Sequence, residues 1–89
     1  MLTPVYTNQF NKDIKRIRKR GKNLEKFKII AQTLLEGKKL DLLNYDHKLL
    51  GHYQDRRECH IEADWLLIYQ KQRGRIIFER TGSHADLFE

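Results

Sequence analysis

Arg57-Glu58-Cys59-His60-Ile61, a turn at Glu62-Ala63-Asp64, and then Trp65-Leu66-Leu67-Ile68-Tyr69 is the stretch that decides the fold. In its first half Arg57, Cys59 and Ile61 alternate with Arg56, Glu58 and His60. That period of two sends the two sets to opposite faces of a strand, so Glu58 and His60 are expected to point the same way. The second half is a continuous apolar run, as a central strand packed on both sides requires. Downstream, Lys71-Gln72-Arg73-Gly74 reads as a hairpin turn with glycine where φ can be positive, and Arg75 to Thr81 as the partner strand. Gly82 breaks that strand and leaves Ser83 to Phe88 as a short terminal segment.

Upstream the period changes. Pro4, Val5 and Tyr6 form a short extended opening, and Thr7 or Asn8 can cap a helix whose apolar stripe is Phe10, Ile14 and Ile17. Gly21 ends it, Asn23 caps a second helix, and Leu24, Phe27, Ile30, Ala31, Leu34 and Leu35 give that helix a broad apolar face before Gly37. From Lys38 to Gly51 no period survives, and the segment reads as a structured connection anchored by leucines. One short strand, two antiparallel helices and three strands amount to an α+β domain, with the helices stacked on one face of an antiparallel sheet. The other sheet face is open to carry a site.

A chain of 89 residues with 39% apolar content is expected to form one domain over residues 1–89. Leu2 runs directly into Thr3 and Pro4, and the apolar run Trp65 to Tyr69 is too short to span a bilayer. The expectation is a soluble cytoplasmic protein with no membrane partner. The lone Cys59 reads as a small buried hydrophobe rather than a nucleophile.

The net charge is +6 and the pI about 9.6, but the charge is unevenly placed. Residues 1–40 hold eleven Lys or Arg against three acids, whereas residues 41–89 hold seven against nine. The densest run is Lys12, Lys15, Arg16, Arg18, Lys19, Arg20 and Lys22, which suits phosphate contact, although a solvated helix face would show the same run. The acidic half carries the four histidines, at positions 47, 52, 60 and 84.

Two chemistries could use them. A metal site calls for ligands at short characteristic spacing, such as His-Glu-x-x-His or paired Cys, and neither pattern occurs; His60, Asp64 and His84 could still converge on an ion in space. Acid–base cleavage of an RNA phosphodiester needs one group to take the 2′-OH proton, one to protonate the leaving 5′-oxygen, and a cation for the charge on the phosphoryl oxygens. Histidine suits both proton transfers, and Arg80 with His84 falls at the end of the strand that pairs with Trp65 to Tyr69.

The strings Asp46-His47-Lys48-Leu49, then Gly51, Arg57 to Tyr69, and Phe78-Glu79-Arg80-Thr81-Gly82-Ser83-His84-Ala85-Asp86-Leu87-Phe88, resemble the YafQ branch of the RelE-type bacterial toxins across nearly the whole chain. The resemblance implies a RelE-like, microbial RNase-type fold and the toxin half of a type II toxin–antitoxin system. It implies an endoribonuclease that cleaves messenger RNA on the ribosome without a metal or other cofactor. His47 matches the histidine of the family's Asp-His-x-Leu motif, and His60 and Asp64 match its His-x-x-x-Asp. His84 matches the favoured general acid, Arg80 the arginine that holds the scissile phosphate, and Phe88 a terminal aromatic that positions the RNA. Glu58 stands where some relatives carry Asp, as an acidic residue on the substrate side, and His52-Tyr53-Gln54-Asp55 diverges from the family pattern. Lys15 and Arg18 are the expected contacts to the RNA or ribosome. A cognate antitoxin is the implied protein partner, in a toxin–antitoxin heterotetramer. Whether His60 or Asp64 is the base stays open, and a non-catalytic basic RNA-, ribosome- or antitoxin-binding module is the alternative.

Overall fold

The computed structural model describes residues 1–51 and 55–88; His52, one of the four histidines, and the divergent stretch around it therefore lie outside the described residues except for Asp55. Strand β1 (Thr3–Tyr6) leads into helices α1 (Asn8–Lys19) and α2 (Leu24–Leu35). A single 3₁₀ turn (Leu42–Asn44) precedes β2 (His47–Lys48), and β3 (Arg57–Glu62), β4 (Trp65–Gln72), β5 (Arg75–Gly82) and α3 (His84–Phe88) complete the chain. The strands form one five-stranded sheet in the order β1-β5-β4-β3-β2.

The meander β3-β4-β5 is the part that alternation and turn chemistry foresee, and both its hairpins are antiparallel. Two departures come from the edges. β1 pairs parallel to β5, so the sheet is mixed rather than purely antiparallel. β2, inside the segment expected to lack regular bonds, pairs antiparallel to β3 and places His47 opposite Glu58.

The sheet separates two cores. On one face, Phe10 and Ile17 of α1 and Phe27, Ile30, Ala31, Leu34 and Leu35 of α2 pack on Cys59, Trp65, Leu67, Tyr69, Ile76 and Phe78. On the other, Leu66 and Ile68 are covered by Leu87 of α3, with Leu49 against them. The continuous run Trp65 to Tyr69 is thus apolar because alternate residues enter different cores. Cys59 has no exposed surface, and burial pushes its thiol well above the ordinary range, as befits a packing residue.

Caps fix the helix starts. Thr7 Oγ1 accepts the Phe10 N–H at 3.0 Å and donates to the Glu79 carbonyl at 2.9 Å, joining α1 to β5. Asn23 Oδ1 accepts the Glu25 N–H at 3.0 Å. Asp13 is the unexpected element of the core, a carboxylate with no exposed surface on α1. Its Oδ2 accepts Arg80 Nε at 2.8 Å and the Thr81 N–H at 3.1 Å, and its Oδ1 accepts Arg16 Nη2 at 2.9 Å and Arg80 Nη2 at 3.3 Å. Buried charge is tolerated here because every lone-pair direction meets a donor. No helix among the described residues is long and apolar enough to cross a membrane.

Candidate active site

The alternation on β3 puts Glu58 and His60 on the face away from α1 and α2, as the sequence period requires. Glu58 is buried, and its Oε1 lies 3.6 Å from His60 Nε2 and 3.5 Å from His47 Nε2. One carboxylate therefore stands between two imidazoles.

His47 reaches Glu58 because the preceding loop is tightly built. Asp41 Oδ1 accepts the Leu43 N–H at 2.9 Å, Asn44 Nδ2 donates to the His60 carbonyl at 2.9 Å, and Tyr45 adopts a left-handed backbone with φ 47°. A non-glycine residue in that region stores local strain, which the surrounding bonds hold in place. His47 Nδ1 lies 2.9 Å from the Tyr45 carbonyl; a carbonyl only accepts, so Nδ1 carries the proton and Nε2 faces Glu58. The Tyr45 ring lies against His47 at 4.5 Å and His60 at 5.6 Å between centroids. Asp46 is secured by Tyr69 Oη at 2.7 Å and Arg57 Nε at 3.2 Å, and burial beside that carboxylate drives the Tyr69 phenol far up.

The second half of the site is the β3–β4 turn against α3. Asp64 Oδ1 accepts both the His84 backbone N–H at 2.9 Å and His84 Nδ1 at 2.6 Å. These two bonds, the backbone one first, hold the Asp64 carboxyl below its usual range. The ionised Asp64 fixes the His84 proton on Nδ1 and leaves Nε2 clear of that bond. His84 and His60 meet edge to face, with ring centroids 5.8 Å apart. His47, Glu58, His60, His84 and Asp64 are thus one connected set.

The remaining expected residues are placed differently. Arg80 lies on β5 opposite Ile68, which in turn pairs with Glu58, so two strand spacings of about 4.8 Å separate it from the carboxylate. Its guanidinium is tied to Asp13 at the sheet edge. Phe88 ends α3 and is half exposed. Lys15 and Arg18 project from α1 into solvent, and neither has an ion-pair partner among the described residues.

The cationic run is not one uniform face. Arg16 pairs with Asp13, Arg20 with Asp86, and Lys22 with Glu62 at 2.7 Å, where Lys26 joins it at 2.6 Å. Lys12, Lys15, Arg18 and Lys19 are the exposed remainder. Asp13, Tyr45 and Asp86 escaped the sequence reading. Asp13 alone left a trace, as the one acid between residues 8 and 22, standing three residues after Phe10 and four before Ile17, on the buried stripe.

Comparison with known proteins finds relatives over nearly the whole chain. A family model described as "Bacterial toxin of type II toxin-antitoxin system, YafQ" matches residues 2–89. The "mRNA interferase toxin YafQ" of Escherichia coli strain K12 is 42% identical over 84 residues, covering 93% of this chain and 91% of that protein. The toxin in the crystal structure of the E. coli DinJ-YafQ toxin-antitoxin complex superposes with a TM-score of 0.92 at 37% identity, covering 99% of this chain and 98% of that one. A metal-bound toxin from Helicobacter pylori superposes with a TM-score of 0.93 at 36% identity, covering 99% and 100%. With a family match over residues 2–89 and a shared sheet and helix arrangement, the chain belongs to the YafQ family of bacterial toxins of type II toxin–antitoxin systems.

Proposed function

We propose that this toxin is an endoribonuclease that cleaves messenger RNA on the ribosome, in the cytoplasm, by acid–base catalysis without a metal, and that a cognate antitoxin holds it in a heterotetramer. The observation that carries the reading is the meeting of two imidazoles, each beside its own carboxylate. His60 lies beside the buried Glu58, and His84, 5.8 Å away, is held by Asp64. Two imidazoles at that spacing suit the two proton transfers of phosphodiester cleavage, one ring taking a proton while the other gives one.

In this mechanism the 2′-oxygen attacks phosphorus as its proton passes to His60, and Glu58 stabilises the imidazolium that forms. The bond from phosphorus to the 5′-oxygen breaks as His84 Nε2 gives its proton to the leaving oxygen. The products are a 2′,3′-cyclic phosphate and a 5′-hydroxyl. Asp64 is committed to two hydrogen bonds and held at low pKa, which disfavours it as the base and suits it to orienting His84. His47 extends the imidazole set through Glu58, Arg80 offsets charge on the phosphoryl oxygens, and Phe88 offers a face for a base. Lys15 and Arg18 supply backbone contacts outside the reacting centre.

The metal-bound relative motivates a second reading, metal-dependent cleavage. As the side chains stand, no group of three or more His, Cys, Asp or Glu among the described residues is placed to hold an ion. The test is induced expression of wild type and His84→Ala with transcript ends mapped, together with cleavage by the purified protein in EDTA. Loss of His84 should slow the chemical step about 10²- to 10⁴-fold, roughly 3 to 5 kcal/mol on the barrier. Undiminished cleavage by His84→Ala would remove the proposed acid, loss in EDTA restored by divalent ions would favour the metal reading, and no fragment ends from wild type would leave a binding module.

A further inference from the structure

We infer that Arg20 and Asp86 form a latch between the end of α1 and α3 that holds His84 in register with Asp64, making both positioning residues for cleavage; this rests on the reading of His84 as the proton donor.

The five-residue α3 is too short to hold itself, because a single helical turn costs more in backbone entropy than its few bonds return. Its start is closed by a reciprocal cap, in which Ser83 N–H donates to Asp86 Oδ2 at 2.9 Å and Asp86 N–H donates to Ser83 Oγ at 3.1 Å. Asp86 also sits directly on Gly82. A Cβ at Gly82 would lie 2.8 Å from Asp86 Cβ and Oδ2, so the close approach depends on glycine there.

The cap alone would fix only the shape of α3. Its place on the molecule is set from the far side of the chain, where Arg20, the residue that caps the C-terminus of α1, grips the same carboxylate as a fork. Nη2 donates to Oδ1 at 2.9 Å and Nη1 to Oδ2. Arg16 Nε stands 3.9 Å from Oδ2 on the same side. The Asp86 side chain is only 11% exposed, and the Arg20 bond holds its carboxyl well below the usual range. Two residues before Asp86, the backbone N–H and Nδ1 of His84 both meet Asp64. Any sliding of α3 along the sheet moves both contacts together. The line Arg20, Asp86, α3, His84, Asp64 thus links the basic half of the chain to the imidazole set.

Arg20 belongs to the cationic run, so a plain phosphate contact is the rival account, and the two differ in sign at Asp86. Removing Arg20 weakens RNA attraction on either account. Removing Asp86 takes away a negative charge, which should tighten RNA binding on the rival account and speed nothing under the latch.

The experiment compares wild type, Arg20→Ala, Asp86→Ala, the double variant and Arg20→Lys. Measured are the single-turnover rate at saturating RNA, the Kd for RNA carrying a 2′-deoxy nucleotide at the scissile position, and amide hydrogen exchange at His84 and Leu87. Arg20→Ala should speed exchange at both amides about three- to tenfold and slow the saturated rate by a similar factor. Asp86→Ala should slow the rate at least as much while its Kd is equal or tighter, the double variant should fall short of the product, and Arg20→Lys should recover part of the rate. Unchanged exchange in Arg20→Ala, or a loss confined to Kd, overturns the latch. An inactive wild type overturns the reading of His84, while the exchange rates still decide whether the latch exists.

Discussion

Asp13→Asn tests how far the buried carboxylate under β5 supports the molecule. The replacement keeps the shape but offers one acceptor oxygen and one NH2 group where Asp13 offers two oxygens. Oδ2 receives Arg80 Nε and the Thr81 N–H, and Oδ1 receives Gln9, Arg16 and the second Arg80 nitrogen. Either orientation of the amide turns a donor toward donors. The contacts to Gln9 and to the 39% exposed Arg16 can be replaced by water and count for little. The Thr81 N–H and Arg80 cannot be replaced so easily. Loss of charge-assisted bonds at about 1.5 to 3 kcal/mol each, partly kept as neutral ones, gives a loss of roughly 2 to 4 kcal/mol. A small domain holds only about 5 to 15 kcal/mol in all. Trp65 is a built-in reporter, since it is fully buried and its Nε1 donates to Thr81 Oγ1 at 2.9 Å, next to the altered bond. With a urea slope of about 1 to 1.5 kcal/mol/M, the midpoint followed by Trp65 fluorescence should fall by roughly 2 M. A midpoint within about 0.3 M of wild type, on the same scale, would refute the assignment of Asp13 as the hub.

Two further outcomes follow from charges described above. The Asp86 carboxyl titrates below its unfolded value, so its stabilisation is complete above the ordinary aspartate pKa, near 4, and is lost as pH falls below it. Stability curves for Asp86→Asn should therefore be flatter than wild type from about pH 4 downward, and parallel curves would contradict the ion pair's role. Lys15→Gln and Arg18→Gln should each reduce the slope of log Kd for RNA against log salt by roughly one while leaving the saturated cleavage rate near wild type. A rate loss at saturating RNA would place those side chains in the chemistry instead.

Most of the meander and both long helices were legible because their signals are local. The alternation Glu58, His60, the run Trp65 to Tyr69, Gly74 at the turn and the caps at Thr7 and Asn23 each act within a few residues. β1 was legible as an extended segment, but its parallel partner lies at the far end of the chain, where no turn residue specifies it. The period of two placed Glu58 and His60 on one face, yet nothing local told that His47 would arrive opposite Glu58, since that depends on a left-handed Tyr45 and a bond from Asn44 to the His60 carbonyl. Cation density was visible in composition, but its division between internal ion pairs and exposed side chains depends on where Asp13, Glu62 and Asp86 come to rest.

The parallel pairing of β1 with β5 has a kinetic side. Thr7 on the path out of β1 bonds Glu79 across 72 positions, and Asp13 meets Arg80 across 67. Closing a loop of that length costs roughly 4 kcal/mol by the (3/2)RT ln n scaling, and no contact repays it until both ends have met. The hairpins between β3, β4 and β5 and the two long helices can form early from neighbours, whereas the first strand must wait for the last. Arg80 is therefore expected among the final side chains to find its anchor, since its bond to Asp13 joins the two ends of the chain.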